Sequence, residues 1–325
     1  MQIATSLARR ARWRWAEIVF WVAAVGALCV PSGRHLILNE IAILALFALS
    51  LDLILGFAGI VSLGQAAFFG LGAYVAGLLA KHVTGDPLAG LALGTAASTL
   101  LGFFTSFLIL RGSDLTRLMV TLGVAVVMGE LANALPDLTG GADGLQGVTM
   151  QPLLGRFAFD LGGRTAYAYS LTTLFVLTLL ARRVVHSPFG LSLMAIRRNT
   201  VRASALGVPV RARLIVAYTF AAAYAGAAGA LLAQTTAFVS LDVFDFHRSA
   251  DVLLVLIIGG AGWLYGGIVG AILYTALQDG IATLTPHYWQ FWIGLFLVIF
   301  VMIGRERLTG GLRGLLTAVS RRVRR

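Results

Sequence analysis

The chain has 325 residues, 58% of them hydrophobic and only 12% charged, with a mean hydropathy of +0.87. Soluble domains are about half apolar and about a quarter charged, so this composition points away from water and toward lipid. The net charge of +11 sits in arginine clusters beside apolar stretches, which is the positive-inside pattern of a membrane protein and gives no reason to invoke nucleic acid.

The first cluster is Arg9, Arg10, Arg12 and Arg14. The apolar run Ile18–Val30 that follows resembles the core of a signal peptide, but many more such runs come after it, so an uncleaved first helix is expected. Cys29 is the only cysteine, which excludes internal disulfides and cysteine-based metal sites. The histidines at 35, 82, 186, 247 and 287 lie too far apart to suggest metal ligands.

A span needs about 20 mostly apolar residues. Candidate spans are 16–32, 37–58, 61–80, 88–110, 115–135, 165–182, 212–235, 250–279 and 287–304. Lipid cannot satisfy free backbone groups, and period-2 alternation is weak, so these are helices rather than barrel strands. The segments at 61–80 and 250–279 are interrupted by glycine. Treating 250–279 as a broken, re-entrant pair or two short passes keeps both chain ends cytoplasmic, together with the Arg-rich loop 183–211. The expected fold is an all-α polytopic bundle of eight to ten membrane segments, one permease-like domain over 1–325. The loop 136–164 then faces outward with Asp137, Asp143 and Asp160 against Arg156 and Arg164. Trp13, Trp15, Tyr288, Trp289 and Trp292 suit the interfaces.

An internal echo links DLILGFAGIVSLGQAAFFGLGAY, from Asp52, with DVLLVLIIGGAGWLYGGIVGAILY, from Asp251. Each has an acid, an apolar run, an Ala-Gly step and a further glycine five residues on (Gly59 to Gly64, Gly262 to Gly267). Short glycine-broken segments in both halves of a chain point to a transport site; the bland account is that glycine-rich apolar helices resemble one another by composition.

Lys81 is the only lysine and no Gly-Lys-Ser/Thr occurs, so the chain has no P-loop for ATP. No GxSxG, no HExxH and no intramembrane Ser/His pair supports catalysis. The interior loop SPFGLSLMAIRRNTVRASALGVPVRAR, 187–213, is the most informative segment. Ser187 and Pro188 can start a helix and Gly207 can end it, with Leu191, Met194, Ala195 and Leu206 as an apolar stripe opposite Arg197, Arg198 and Arg202. Such a helix either docks on a soluble motor or lies on the headgroups.

Several blocks together resemble one family. LDLILGFAGIVSLGQAAFFGLGAY, GADGLQGV at 141–148, the 187–213 loop, the run Ala217–Ala230 and GGAGWLYGGIVGA within 249–271 occur in family order. They are similar to the LivM-type permeases of branched-chain amino acid ABC importers. The chain departs from the pattern at Gly267, where proline is usual, and in its basic loop, where Arg198, Thr200 and Ser204 replace frequent acids.

The resemblance implies a transport subunit, not an enzyme, in a bacterial inner membrane. Its partners would be a second, LivH-type permease, two cytoplasmic ATPases that bind ATP and Mg, a periplasmic binding protein and membrane lipid; the chain itself would hold no cofactor. It implies ATPase coupling by Ala195, Ile196, Arg197, Arg198, Asn199, Arg202, Ala203 and Gly207, and an external loop built on Gly141, Asp143 and Gly144. Asp143-Gly144 reads as a turn first and a docking surface second.

Ser62 and Gln65, beside Gly59 and Gly64, are pathway candidates with Phe68, Phe69, Gly259 and Gly260; alternatively Ser62 bonds its own helix and Gln65 joins two helices. Asp52 and Glu130 are the deep acidic candidates and keep a stand-alone secondary transporter or channel open as the alternative.

Overall fold

The computed structural model describes residues 15–29, 34–160 and 162–284, with positions 288, 291–295 and 298. The Arg9–Arg14 cluster, Trp13, Trp289, His287, most of 287–304 and the Arg-rich C-terminus lie outside the described residues. The contacts divide the chain into one compact unit over 1–272 and a second over 273–325. In the second, the Trp292 N–H donates to the Tyr288 carbonyl at 3.2 Å.

Among the described residues every element is helical, and the only sheet-like pairings are the isolated bridges Leu145–Val239 and Leu153–Phe157. The helices are α1 (Trp15–Gly26), α2 (His35–Leu51, extended by a wider π-turn, Asp52–Ala58), α3 (Gln65–His82), α4 (Pro87–Ile109), α5 (Asp114–Asn133) and the short α6 (Pro136–Thr139). Then come α7 (Arg164–Val185), α8 (Pro188–Arg198), α9 (Thr200–Ala205), α10 (Val210–Thr236), α11 (Phe246–Gly259) and α12 (Gly266–Leu284).

Their starts follow local chemistry. Asp86 accepts from the Leu88 N–H at 3.1 Å with Pro87 in the first turn of α4, and Ser113 accepts from Thr116 N–H at the start of α5. Asp160 accepts from the Thr165 N–H at 3.0 Å and the Arg164 N–H at 3.4 Å; these donors, Thr165 first, hold its carboxyl below the usual carboxylate range.

Five of these stretches are long and apolar enough to cross a membrane: His35–Ala58, Pro87–Ile109, Asp114–Asn133, Arg164–Val185 and Val210–Thr236. Of the expected eight to ten segments, five are full-length candidates among the described residues. The shorter apolar helix Glu17–Cys29 lies at the start of the chain. The stretch expected as one span over 250–279 is two helices, α11 and α12, separated at Gly260–Tyr265.

Helix α10 is the centre of the bundle, buried along Ala221, Ala222, Ala225, Gly226, Ala228 and Gly229. Small residues there let α3 and α4 approach to backbone contact, which replaces the missing hydrophobic drive between helices in lipid. A Cβ at Gly229 would collide with the Phe69 carbonyl of α3, and one at Gly72 with the Gly226 carbonyl of α10. Gly229→Ala is therefore expected to separate α3 from α10 and to lower the unfolding temperature in detergent by several degrees. An unchanged melting curve would contradict this packing.

Helices α2 and α7 run side by side in the same direction. The His35 and Tyr167 rings lie 6.4 Å apart near their starts, and Ser170 donates to Asn39 Oδ1 at 2.6 Å. Helix α1 runs the other way: the Tyr167 hydroxyl donates to the Ala24 carbonyl at 2.9 Å, while Glu17 pairs with Arg182 at the far end of α7. The start of α1 thus lies on the same side as the basic loop after α7.

Candidate coupling site at two helix breaks

The first break begins where α2 widens at Asp52 and stops at Gly59, whose φ of +77° suits only glycine without strain. The Gly59 and Ile60 N–H groups both turn back to the Ile54 carbonyl. The Gly56 carbonyl takes its hydrogen bond from elsewhere, the guanidinium of Arg197 on α8. A cation at the C-terminal end of a helix also complements the negative end of its dipole.

The second break lies between α11 and α12, which form an antiparallel hairpin through glycine: Gly259 abuts Gly266 and Gly270, and Gly270 abuts Val255. Gly260 and Gly262 hold φ of +100° and +83°. Of the Ala-Gly steps that echo in the sequence, Ala58-Gly59 is a left-handed helix exit, while Ala261-Gly262 lies in the turn after α11, whose own exit is Gly260. The two breaks meet directly. Asp52, fully buried, accepts from the Gly262 N–H at 2.6 Å through Oδ1, while Oδ2 has no partner.

Donors at the start of α3 are served by other helices. Ser249 of α11 accepts from the Ala66 N–H at 3.0 Å, and Thr121 of α5 accepts from the Leu63 N–H at 3.4 Å. Ser62 accepts from Gly64 N–H at 3.4 Å and lies beside the Tyr218 hydroxyl. Gln65 is fully buried and neither atom of its amide has a partner. Phe68 packs edge-on against Tyr218 at 5.6 Å and Phe69 against Phe47 at 4.5 Å, both inside the bundle. Of the six pathway candidates, Ser62 and Gln65 lie at the first break, Gly259 and Gly260 at the second, and Phe68 and Phe69 one turn above the first.

The basic loop differs from its sequence reading. One helix from Ser187 to Gly207 becomes two, because Asn199 is extended (φ −163°, ψ 105°) and caps α9 by accepting from the Arg202 N–H at 2.8 Å. Ser187 donates to the Val184 carbonyl at 2.6 Å instead of capping α8. The buried face is Leu193, Ile196 and Ala203 rather than Leu191, Met194, Ala195 and Leu206. That face packs on Ala58 and Ile60 of the first break and on Leu214 and Ala217 of α10. Val201 and Leu206 stay exposed at 78% and 77%, with Arg198 and Arg202 beside them and Gly207 (φ +82°) closing the turn.

On the opposite side, the Gly141–Asp143 turn and Gly144 (φ +74°) lead into Leu145, which is bonded to Val239 in both directions. Asp143 itself is exposed. Glu130, read from sequence as deep, is exposed near the end of α5, because that helix buries only Thr121, Ala125 and Ala132.

Residues 34–302 match the family described as "Branched-chain amino acid transport system / permease component". The chain belongs to this family. The permease is 30% identical to the LivM permease protein of the high-affinity branched-chain amino acid transport system of Escherichia coli K12 over 260 residues, 72% of this chain and 60% of the relative. The Salmonella typhimurium LivM gives 30% over 285 residues, 79% and 66%. LsrC of the autoinducer 2 import system of Photorhabdus laumondii gives 29% over 128 residues, 38% of each chain. The match thus spans somewhat under two thirds of the LivM proteins' length. No solved structure matches.

Sequence reasoning missed three members of the permease's site. Arg182, counted among the loop arginines, is buried, paired with Glu17 and 3.5 Å from the Tyr265 hydroxyl. Ser249 and Thr121 look like ordinary helix residues until the break places backbone donors opposite them. Only Glu17, an acid inside the first apolar stretch, signalled that a buried cation was needed.

Proposed function

We propose that this chain is a membrane subunit of an ATP-driven importer in the bacterial inner membrane. It would translocate branched-chain amino acids or a related small substrate such as urea, a short amide or an aromatic acid. A periplasmic binding protein would deliver the substrate, a second LivH-type permease would complete the pathway, and two cytoplasmic ATPases would hold ATP and Mg. The observation that carries this reading is the double anchorage of the basic loop. Its inner face is packed on the first break, its Arg197 is bonded into that break beside Gly262, and its outer face is free to meet a soluble partner.

Motion imposed on α8–α9 by an ATPase would reach both breaks through one guanidinium and one apolar cluster. The exposed apolar residues Val201 and Leu206, ringed by Arg198, Arg202 and Arg211, suit a groove with acidic edges. On this reading the 183–213 loop and both chain ends are cytoplasmic and the 136–164 loop is periplasmic, with Gly141, Asp143 and Gly144 facing the binding protein. The substrate pathway borders Ser62, Gln65, Phe68, Phe69, Gly259 and Gly260.

Helix α5 offers the surface for the second permease. Met119, Gly123, Val127 and Glu130 share one face, all exposed, and nothing lies within 4 Å of a Cβ built at Gly123. A carboxylate facing hydrocarbon is costly, so this face suits protein better than lipid.

The test is purification of the tagged chain from its native membranes in mild detergent, with mass spectrometry of what accompanies it. Recovery of a second permease and two ATPases is expected, and Gly123→Trp is expected to lose the second permease while the chain itself remains folded. Recovery of the chain alone in gentler detergents as well would favour a stand-alone transporter, for which the free Oδ2 of buried Asp52 is the specific support.

A further inference from the structure

A cavity of about 880 Å³ lies between α4, α7 and the loop 153–157, away from both breaks. Along α7 it is lined by Arg164, Ala168, Thr172 and Val176, one residue per helical turn, and along α4 by Leu88, Leu91 and Thr95. Its floor includes Ala227 of α10, and the small side chains of Ala168 and Ala227 leave the space. Leu154, Phe157 and Val176, all in its wall, are exposed, so it opens at the surface of two spanning helices.

Apart from Arg164, the polar side chains in the wall are already engaged. Thr95 donates to the Leu91 carbonyl, Thr172 to Ala168 and Thr173 to Tyr169, each within its own helix at 2.6–3.0 Å. The Tyr169 hydroxyl donates to the Pro87 carbonyl at 3.1 Å, and the Thr165 side chain bonds Asp160. Beyond Arg164 at its mouth the groove offers a zwitterionic substrate no free donor, so such a substrate would lose its hydration there without replacement.

Hydrocarbon has no such penalty. From Arg164 to Val176 the groove runs about 18 Å at a rise of about 1.5 Å per residue, close to the roughly 15 Å hydrocarbon depth of one leaflet. Arg164 stands at the end of α7 nearest the 136–163 loop, exposed, with no ion pair among the described residues. A guanidinium at that level meets a lipid phosphate in a charge-assisted, forked hydrogen bond.

We propose that this cavity is a phospholipid site of the leaflet on the 136–163 side, holding one acyl chain between α4 and α7 and an anionic headgroup at Arg164. The site depends on α4 and α7 spanning the membrane and not on the importer assignment, so either can fail alone.

The experiment uses the purified permease, with whatever partners accompany it, in phosphatidylcholine vesicles. These carry a small fraction of phosphatidylglycerol with a photoactivatable group in one acyl chain, and labelled peptides are mapped by mass spectrometry. Labelling is expected to concentrate on 88–95 and 164–177. Ala168→Trp, which fills the groove, should reduce it at least fivefold. Arg164→Gln, an exposed change that leaves the fold intact, should remove the preference for phosphatidylglycerol over an equally labelled phosphatidylcholine probe. Labelling spread evenly over the outward helix faces would overturn the proposal. So would labelling indifferent to both variants, or protection of these peptides by a partner protein.

Discussion

Arg197→Ala is expected to reduce uptake by one to two orders of magnitude with membrane insertion unchanged, whereas Arg198→Ala lowers it only a few-fold. The two arginines are neighbours in sequence but not in role. Arg197 turns back to the Gly56 carbonyl, and its stem lies against Gly59, where a Cβ would stand 2.8 Å from its Cγ. Arg198 is exposed. A hydrogen bond to a charged group contributes about 1.5–3 kcal/mol, and each 1.4 kcal/mol is about tenfold in an equilibrium. Losing this bond should therefore let the loop and the first break move independently. Arg197→Lys restores the charge but not the fork, so partial recovery is expected. The double variant Arg197→Glu with Arg198→Glu should abolish uptake, since it also reverses the charge offered to an ATPase. The decisive readout is uptake against ATP hydrolysis in the assembled transporter. Arg197→Ala should keep hydrolysis and lose uptake; wild-type uptake in that variant would sink the coupling role.

Gly56→Ala is expected to destabilise the bundle by roughly 2–6 kcal/mol, summing overpacking of about 1–3 kcal/mol with a buried donor left unpaired at about 1–3 kcal/mol. The added methyl would collide with Asp52 Oδ1 and stand 2.5 Å from the Gly262 amide, so it must part the two breaks. Asp52→Asn keeps an acceptor for the Gly262 N–H and should be tolerated; Asp52→Leu should resemble Gly56→Ala. Gly26→Ala, where nothing lies within 4 Å, is the control. Thermal unfolding in detergent measures all four, and a Gly56→Ala melt equal to that of Gly26→Ala would show that the breaks are not in contact.

Much of the fold was legible because lipid restricts the choices. Runs of about 20 apolar residues have to be helices, and α2 with its π-turn, α4, α5, α7 and α10 appear within a few residues of their sequence limits. The glycine echo marked both breaks as well, although only Ala58-Gly59 is a left-handed helix exit and Ala261-Gly262 lies in the turn after α11. The loop 187–213 was legible as a helical segment but not in its division or its faces. Asn199 can sit within a helix or cap one, and only the neighbouring break at Ala58–Ile60 decided which side chains of α8 and α9 were covered.

The acids show the same division. Asp52 and Glu130 look alike in sequence, each a lone carboxylate in an apolar run. Asp52 is buried because a second chain segment brings the Gly262 N–H to it; Glu130 is exposed because α5 buries little of its surface. By itself, then, the sequence determined the class of the protein, its helical spans, the two glycine breaks and the family. Composition and hydropathy carry the class and the spans, the glycine pattern carries the breaks, and the resemblance of sequence blocks carries the family; all are local. The tertiary structure alone decided that the breaks touch, that Arg182 is buried, that Arg197 is bonded to the first break while Arg198 is not, and that a groove opens between α4 and α7. Each of these depends on segments far apart in the chain meeting, and no local pattern records that meeting.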